Sequence, residues 1–82
     1  RQRPAVLDIQ VIPSPAQDAL SLQGLPGPAE MGLFDMNGQR LWAGTVRNGV
    51  SIELPRLRMP SGLYVIRLEG ADYRSSLNLV VD

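Results

Sequence analysis

The groups in this sequence able to do chemistry are eight carboxylates and eight guanidinium groups. The acids Asp8, Asp18, Glu30, Asp35, Glu53, Glu69, Asp72 and Asp82 stand singly along the chain, with no calcium-loop spacing. Acid and base work needs two carboxylates brought together in space, and scattered acids of this kind lie mostly on a solvated face. Every basic residue is arginine, and cysteine and histidine are absent. That removes thiolate and imidazole metal ligands, histidine-based triads, Schiff-base lysines and a P-loop lysine. The expectation is a non-enzyme with no catalytic residue, no metal and no cofactor.

Four local features remain to be read. Asp35 precedes Asn37-Gly38 and reads as an acceptor of turn N–H groups. Trp42 stands near Arg40 in a strand-like stretch; such a pair either packs the sheet or offers a flat apolar face to a sugar or peptide, and packing is the ordinary reading. Arg56 and Arg58, inside a proline-bounded connection, read as solvated loop residues rather than an anion site. Gly62 lies two residues before Tyr64, which suggests a tight start to a strand, a ring filling the interior and a hydroxyl that finds a main-chain acceptor at the rim.

The elements that must position these residues are strands. Apolar residues alternate with polar ones along most of the chain, and no useful window shows the i, i+3, i+4, i+7 spacing of a helix. A first strand is expected over 5–12, with Leu7, Ile9 and Val11 on one face, ending at Pro13-Ser14-Pro15, where prolines cannot continue a central ladder. A second is expected over 18–23 with Leu20 and Leu22 inward, and a third over 29–35 carrying Met31 and Leu33. Asn37-Gly38 favours a type I′ hairpin turn into a fourth strand over 39–46. Arg47-Asn48-Gly49 repeats that turn chemistry before a fifth strand over 50–54. After the connection 55–61, a sixth strand over 63–69 points Tyr64, Ile66 and Leu68 one way. It turns at Gly70-Ala71-Asp72 into a seventh, with Tyr73, Leu77, Leu79 and Val81 on one face.

Seven short strands in one small domain predict an all-β, seven-stranded antiparallel immunoglobulin-like β-sandwich, because a single sheet would leave one apolar face wet. A small barrel is the competing architecture. The 82 residues are 44% hydrophobic with zero net charge, which fits one folded domain and argues against disorder. Zero net charge also argues against nucleic acid as partner, and no apolar run reaches the roughly 18–20 residues of a membrane span. Residues 1–4 read as a linker remnant ahead of a domain over 5–82. With no initiating methionine and no signal-peptide pattern, the chain reads as part of a longer protein whose N-terminal cargo domain is not included.

Three segments together resemble a known family. Val11-Ile12-Pro13-Ser14-Pro15-Ala16-Gln17-Asp18 is similar to a V-x-P-N-P-A-x-D opening, with Ser14 in place of asparagine. Leu33-Phe34-Asp35-Met36-Asn37-Gly38-Gln39-Arg40-Leu41 is similar to an L-Y-D-x-x-G-x-x-[VL] hairpin. Met59-Pro60-Ser61-Gly62-Leu63-Tyr64-Val65-Ile66-Arg67-Leu68 is similar to an L-x-x-G-x-Y-x-[LIV]-R-[LIV] strand, with Met59 at the leucine position. Their order, over some seventy residues, resembles the C-terminal sorting domain of type IX secretion system cargo, the type A class of the Por secretion system.

The resemblance implies a folded export signal whose motif residues are Pro13, Pro15, Asp18, Asp35, Gly38, Gly62 and Tyr64. It implies transit through the periplasm to the cell surface or beyond, with recognition by the outer-membrane translocon and removal in many members by a sortase-like peptidase. A sandwich suits such a role because its edge strands offer unpaired N–H and C=O groups to a receptor. The docking edge expected here is the end of the seventh strand, Leu79, Val80, Val81 and Asp82. The alternative is an accessory immunoglobulin-like module of a surface enzyme, binding glycan or spacing domains.

Overall fold

The computed structural model describes residues 8–82. The expected linker 1–4 and the first residues of the expected opening strand, Leu7 among them, lie outside that range. Seven strands follow in order: β1 (Gln10–Ile12), β2 (Ala19–Gln23), β3 (Ala29–Phe34), β4 (Arg40–Val46), β5 (Ile52–Glu53), β6 (Gly62–Gly70) and β7 (Arg74–Val81), with a 3₁₀ turn at Arg56–Arg58 between β5 and β6. They form a three-stranded sheet, β1-β2-β5, and a four-stranded sheet, β4-β3-β6-β7, with every strand pair antiparallel. The fold is therefore an all-β, immunoglobulin-like sandwich.

Alternation in the sequence becomes the two faces of each sheet. Leu20 and Leu22 of β2 meet Met31 and Leu33 of β3, Tyr64, Ile66 and Leu68 of β6, and Leu79 and Val81 of β7 in one buried cluster. Ile66, Leu22 and Leu33 are fully inaccessible, and each such side chain contributes about 1.5–3 kcal/mol of transfer free energy. Met59, Leu25 and Ala16 join the cluster from connections rather than strands.

Three expectations need correction. Within the described residues the first strand begins at Gln10, because its partner β2 ends at Gln23 and the chain then turns at Gly24, whose φ is +89°. A Cβ there would overlap the Asp8 carbonyl, so only glycine lets the two chains separate at this point. Second, the Asn37-Gly38 hairpin is not type I′: only Gly38 has positive φ, +86°. Gly38 N–H donates to Asp35 C=O at 3.0 Å and Asp35 N–H to Gln39 C=O at 3.0 Å, the pattern of a type I turn closed by a left-handed glycine. The register shift beside it, with Phe34 opposite Arg40, absorbs Leu41 as the extra residue.

Third, Arg47-Asn48-Gly49 makes no hairpin. β4 and β5 belong to different sheets, so this segment crosses between them, and β5 shrinks to two residues because β2 gives it two pairing positions. The Asn48 side chain serves the crossing instead. Its Oδ1 accepts from Leu25 N–H at 2.8 Å and its Nδ2 donates to Leu25 C=O at 2.7 Å, standing in for a strand neighbour. Gly49 N–H donates to Leu22 C=O at 2.9 Å.

Candidate docking surface

The register of the four-stranded sheet brings the three motif segments to one end of the molecule. Gly62 pairs with Val81 and Tyr64 with Leu79, while Phe34, the last residue before the Asp35–Gly38 turn, pairs with Val65. Ala16, from the proline bend, bridges Val81 in parallel. The start of β6, the end of β7, the β3–β4 turn and the bend after β1 thus gather at the same end.

The bend explains the first motif. Pro13 and Pro15 are exposed and follow cis peptide bonds, whereas Ala16 between the bend and β2 is fully buried. Ala16 N–H donates to Val80 C=O at 2.9 Å and its C=O accepts from Asp82 N–H at 2.8 Å. This strap therefore already fills the last outward-facing rung of β7, part of the edge expected to be open. Leu79 and Val81 point into the core at 1% exposure; of the four expected docking residues, Val80 and Asp82 turn their side chains to solvent.

Arg56, expected as a solvated loop residue, instead holds the strap in place. Its guanidinium donates to Met59 C=O at 3.2 Å, to Gln17 C=O, and to the Asp82 main-chain oxygen at 3.1 Å. Asp18 lies 3.6 Å away but is almost fully exposed, so its ion pair adds little beside those carbonyl contacts. Asp18 contributes more through its backbone, its C=O accepting from Leu54 N–H at 2.9 Å. A charged residue in a proline-rich connection carried no sequence signal for this; its partners lie 3, 26 and 39 residues distant.

The other motif residues are structural at the same end. Asp35 Oδ1 accepts from Asn37 N–H and Gln39 N–H, both at 2.9 Å, as expected of a turn aspartate. Tyr64 is 6% exposed and its hydroxyl donates to Pro60 C=O at 2.5 Å, closing the connection against the core. Gly62 has φ +157°, in the positive range that L side chains rarely adopt, so a side chain there would be strained even though its Cβ would meet nothing nearer than Pro60 O at 3.9 Å. The tight start expected at Gly62 is therefore set by its backbone conformation and not by crowding.

Trp42 and Arg40 do not form a pair. Trp42 packs against the core with its ring over Gly44, where a Cβ would lie 2.8 Å from Cη2. Arg40 faces outward opposite Phe34. On that outer face Phe34 covers Gly32, and Arg67 lies over the Phe34 ring with 5.2 Å to its centroid. Thr45 Oγ1 donates to Glu30 at 2.6 Å, and Arg74 pairs with Glu69 at 3.4 Å. At the far end Tyr73 donates to Gly27 C=O at 2.9 Å, and burial raises its pKa above the usual 10.0.

The three motif segments thus converge on the last strand of a two-sheet sandwich. The family model for a secretion system C-terminal sorting domain matches residues 10–82, and the chain belongs to this family of type IX secretion signals. No curated protein matches the chain. No helix among the described residues is long and apolar enough to cross a membrane.

Proposed function

We propose that the domain over 5–82 acts, without chemistry of its own, as an outer-membrane export signal. In this reading an attached N-terminal cargo passes through the periplasm, the type IX translocon recognises the motif end of the sandwich, and a sortase-like peptidase on the surface removes the domain. The carrying observation is the convergence of the proline bend, the β3–β4 turn and the Gly62–Tyr64 segment on the end of β7. Docking at Leu79–Asp82 then proceeds by exchange: a partner strand takes over Val80 C=O and Asp82 N–H as the Ala16 strap leaves, and it reads the exposed side chains of Val80 and Asp82.

The test is a reporter carrying a periplasmic signal and this whole chain, expressed in hosts with and without the secretion system. Surface display is expected only in the first. A Val80→Glu, Asp82→Lys double variant alters outward side chains alone, so it should keep its melting temperature yet accumulate in the periplasm. Equal fates of the parent fusion in both hosts would leave the accessory-module reading. Normal display of the folded double variant would remove the docking edge while leaving the sorting role.

A further inference from the structure

The outer face of the four-stranded sheet holds an open groove of about 700 Å³, within the size range of small-ligand sites. Register sets its floor. Ala43 lies opposite Gly32, Gly32 opposite Arg67, and Arg67 opposite Ser76, one line of mostly small residues across β4, β3, β6 and β7. Arg40 and Phe34 form one wall. Glu30, Glu69 and Arg74 form the other.

The walls differ in what their charges already hold. Glu30 accepts from Thr45 Oγ1 and Glu69 pairs with Arg74, so the acidic wall is matched from within. The side chains of Arg40 and Arg67 make no ion pair or hydrogen bond among the described residues. Arg67 is held in place without an acid. Its guanidinium lies 5.2 Å from the Phe34 centroid, and Phe34 in turn lies on Gly32, where a Cβ would come within 2.7 Å of the ring's Cε1. Stacking orients the guanidinium and leaves its N–H fork free for a partner, the arrangement that suits bidentate binding of a carboxylate. Arg40, opposite Phe34 in β4, brings a second guanidinium to the same ring.

The rest of the partner's chemistry follows from the floor. β3 and β6 are each paired on both sides, so their main-chain groups are used in the ladders. An extended peptide laid across the groove would leave its own N–H and C=O groups unanswered on that side. Around Phe34 the outward side chains of the lining are small or charged, which gives an acyl chain little to cover. Ser76, Glu30 and Glu69 supply a hydroxyl and carboxylates, groups that exchange hydrogen bonds with a ligand rich in hydroxyls.

We propose that this groove binds a carboxylated saccharide, its carboxylate held by Arg67 and Arg40 and its hydroxyls by Ser76, Glu30 and Glu69. None of its lining belongs to the Leu79–Asp82 edge, and the site stands whether or not the domain is an export signal.

The probe is glucuronate, titrated into the isotope-labelled whole chain and followed by the amide shifts of Gly32, Phe34, Arg67 and Ser76. Half-saturation near about 1 mM is expected, the affinity that roughly thirteen non-hydrogen atoms reach at ordinary ligand efficiency. Glucose, which lacks the carboxylate, should bind at least about tenfold more weakly. Arg67→Gln should weaken glucuronate about tenfold, and Arg67→Lys, which keeps the charge without the planar fork, should recover little of that loss. Arg47→Gln is the matched control: Arg47 is exposed and outside the groove, so this variant loses the same charge and should bind like the parent. If Arg67→Gln fails to fold, Arg40→Gln takes its place with the same expectation. No saturation below about 20 mM glucuronate, equal binding of glucose, or equal losses in the groove and control variants would overturn the proposal. So would tighter binding of inorganic phosphate or of tetraglutamate at the same amides, which would make the groove a site for phosphate groups or for acidic peptide.

Discussion

Tyr64 shows how one side chain serves both core and loop. Its ring sits among the apolar residues between the sheets while its hydroxyl reaches four residues back to Pro60, the logic of the tyrosine corner in other sandwiches. Tyr64→Ala is expected to cost about 3–5 kcal/mol by emptying a large core site. Tyr64→Phe should cost about 1 kcal/mol, since it leaves the Pro60 carbonyl without its donor; denaturant melts separate the two. Tyr73 acts at the opposite end. Its pKa is raised by burial in the folded chain, so folding favours the protonated phenol. That contribution is fully present below the unfolded value near 10 and is lost as pH rises through the higher folded value. Stability should fall in strongly alkaline solution, and Tyr73→Phe should flatten that part of the profile.

At the scale of elements, the proline bend, the 3₁₀ turn and the end of β7 work as one unit. Arg56 ties them through three main-chain oxygens, and its side chain is 31% exposed. Arg56→Ala should therefore lower stability by about 1–2 kcal/mol, on the scale of hydrogen bonds from a charged donor that is partly solvated. Its sharper signature is local: the amides of Ala16 and Asp82 should exchange faster, while those in the β3–β6 ladder keep their protection. Arg58→Ala, which loses one long contact to Leu41, is the matched control. Uniform acceleration across the domain would show that Arg56 supports the whole fold and not the strap.

For the whole molecule, the terminal strand cannot be trimmed without damage. Deleting Leu79–Asp82 removes two fully buried side chains and both bonds to the Ala16 strap. The loss of Leu79 alone is on the order of 2–5 kcal/mol. An 82-residue domain has only about 4–12 kcal/mol in total. The truncated chain should lack a cooperative melt, as circular dichroism would record, so export failure after truncation reports folding and recognition together. Substitutions at Val80 and Asp82 separate them.

The sequence by itself determined the strands, their buried faces and the Asp35 turn acceptor. The period-two pattern of Leu20 and Leu22, or of Tyr64, Ile66 and Leu68, fixes strands and their buried faces because side-chain direction alternates along any extended chain. Asp35 was legible as a turn acceptor because its partners are two and four residues away, and the three motif segments pointed to the family. Tertiary structure decided which strands pair and what closes their ends. Asn48-Gly49 has hairpin chemistry yet spans two sheets, since β5 pairs with β2 and β4 with β3. Asn37-Gly38 does close a hairpin, with a turn set by the shift at Leu33 and Phe34. Ala16 and Arg56 meet the end of β7 only after the chain has folded back, because contacts spanning tens of residues leave no periodicity to read.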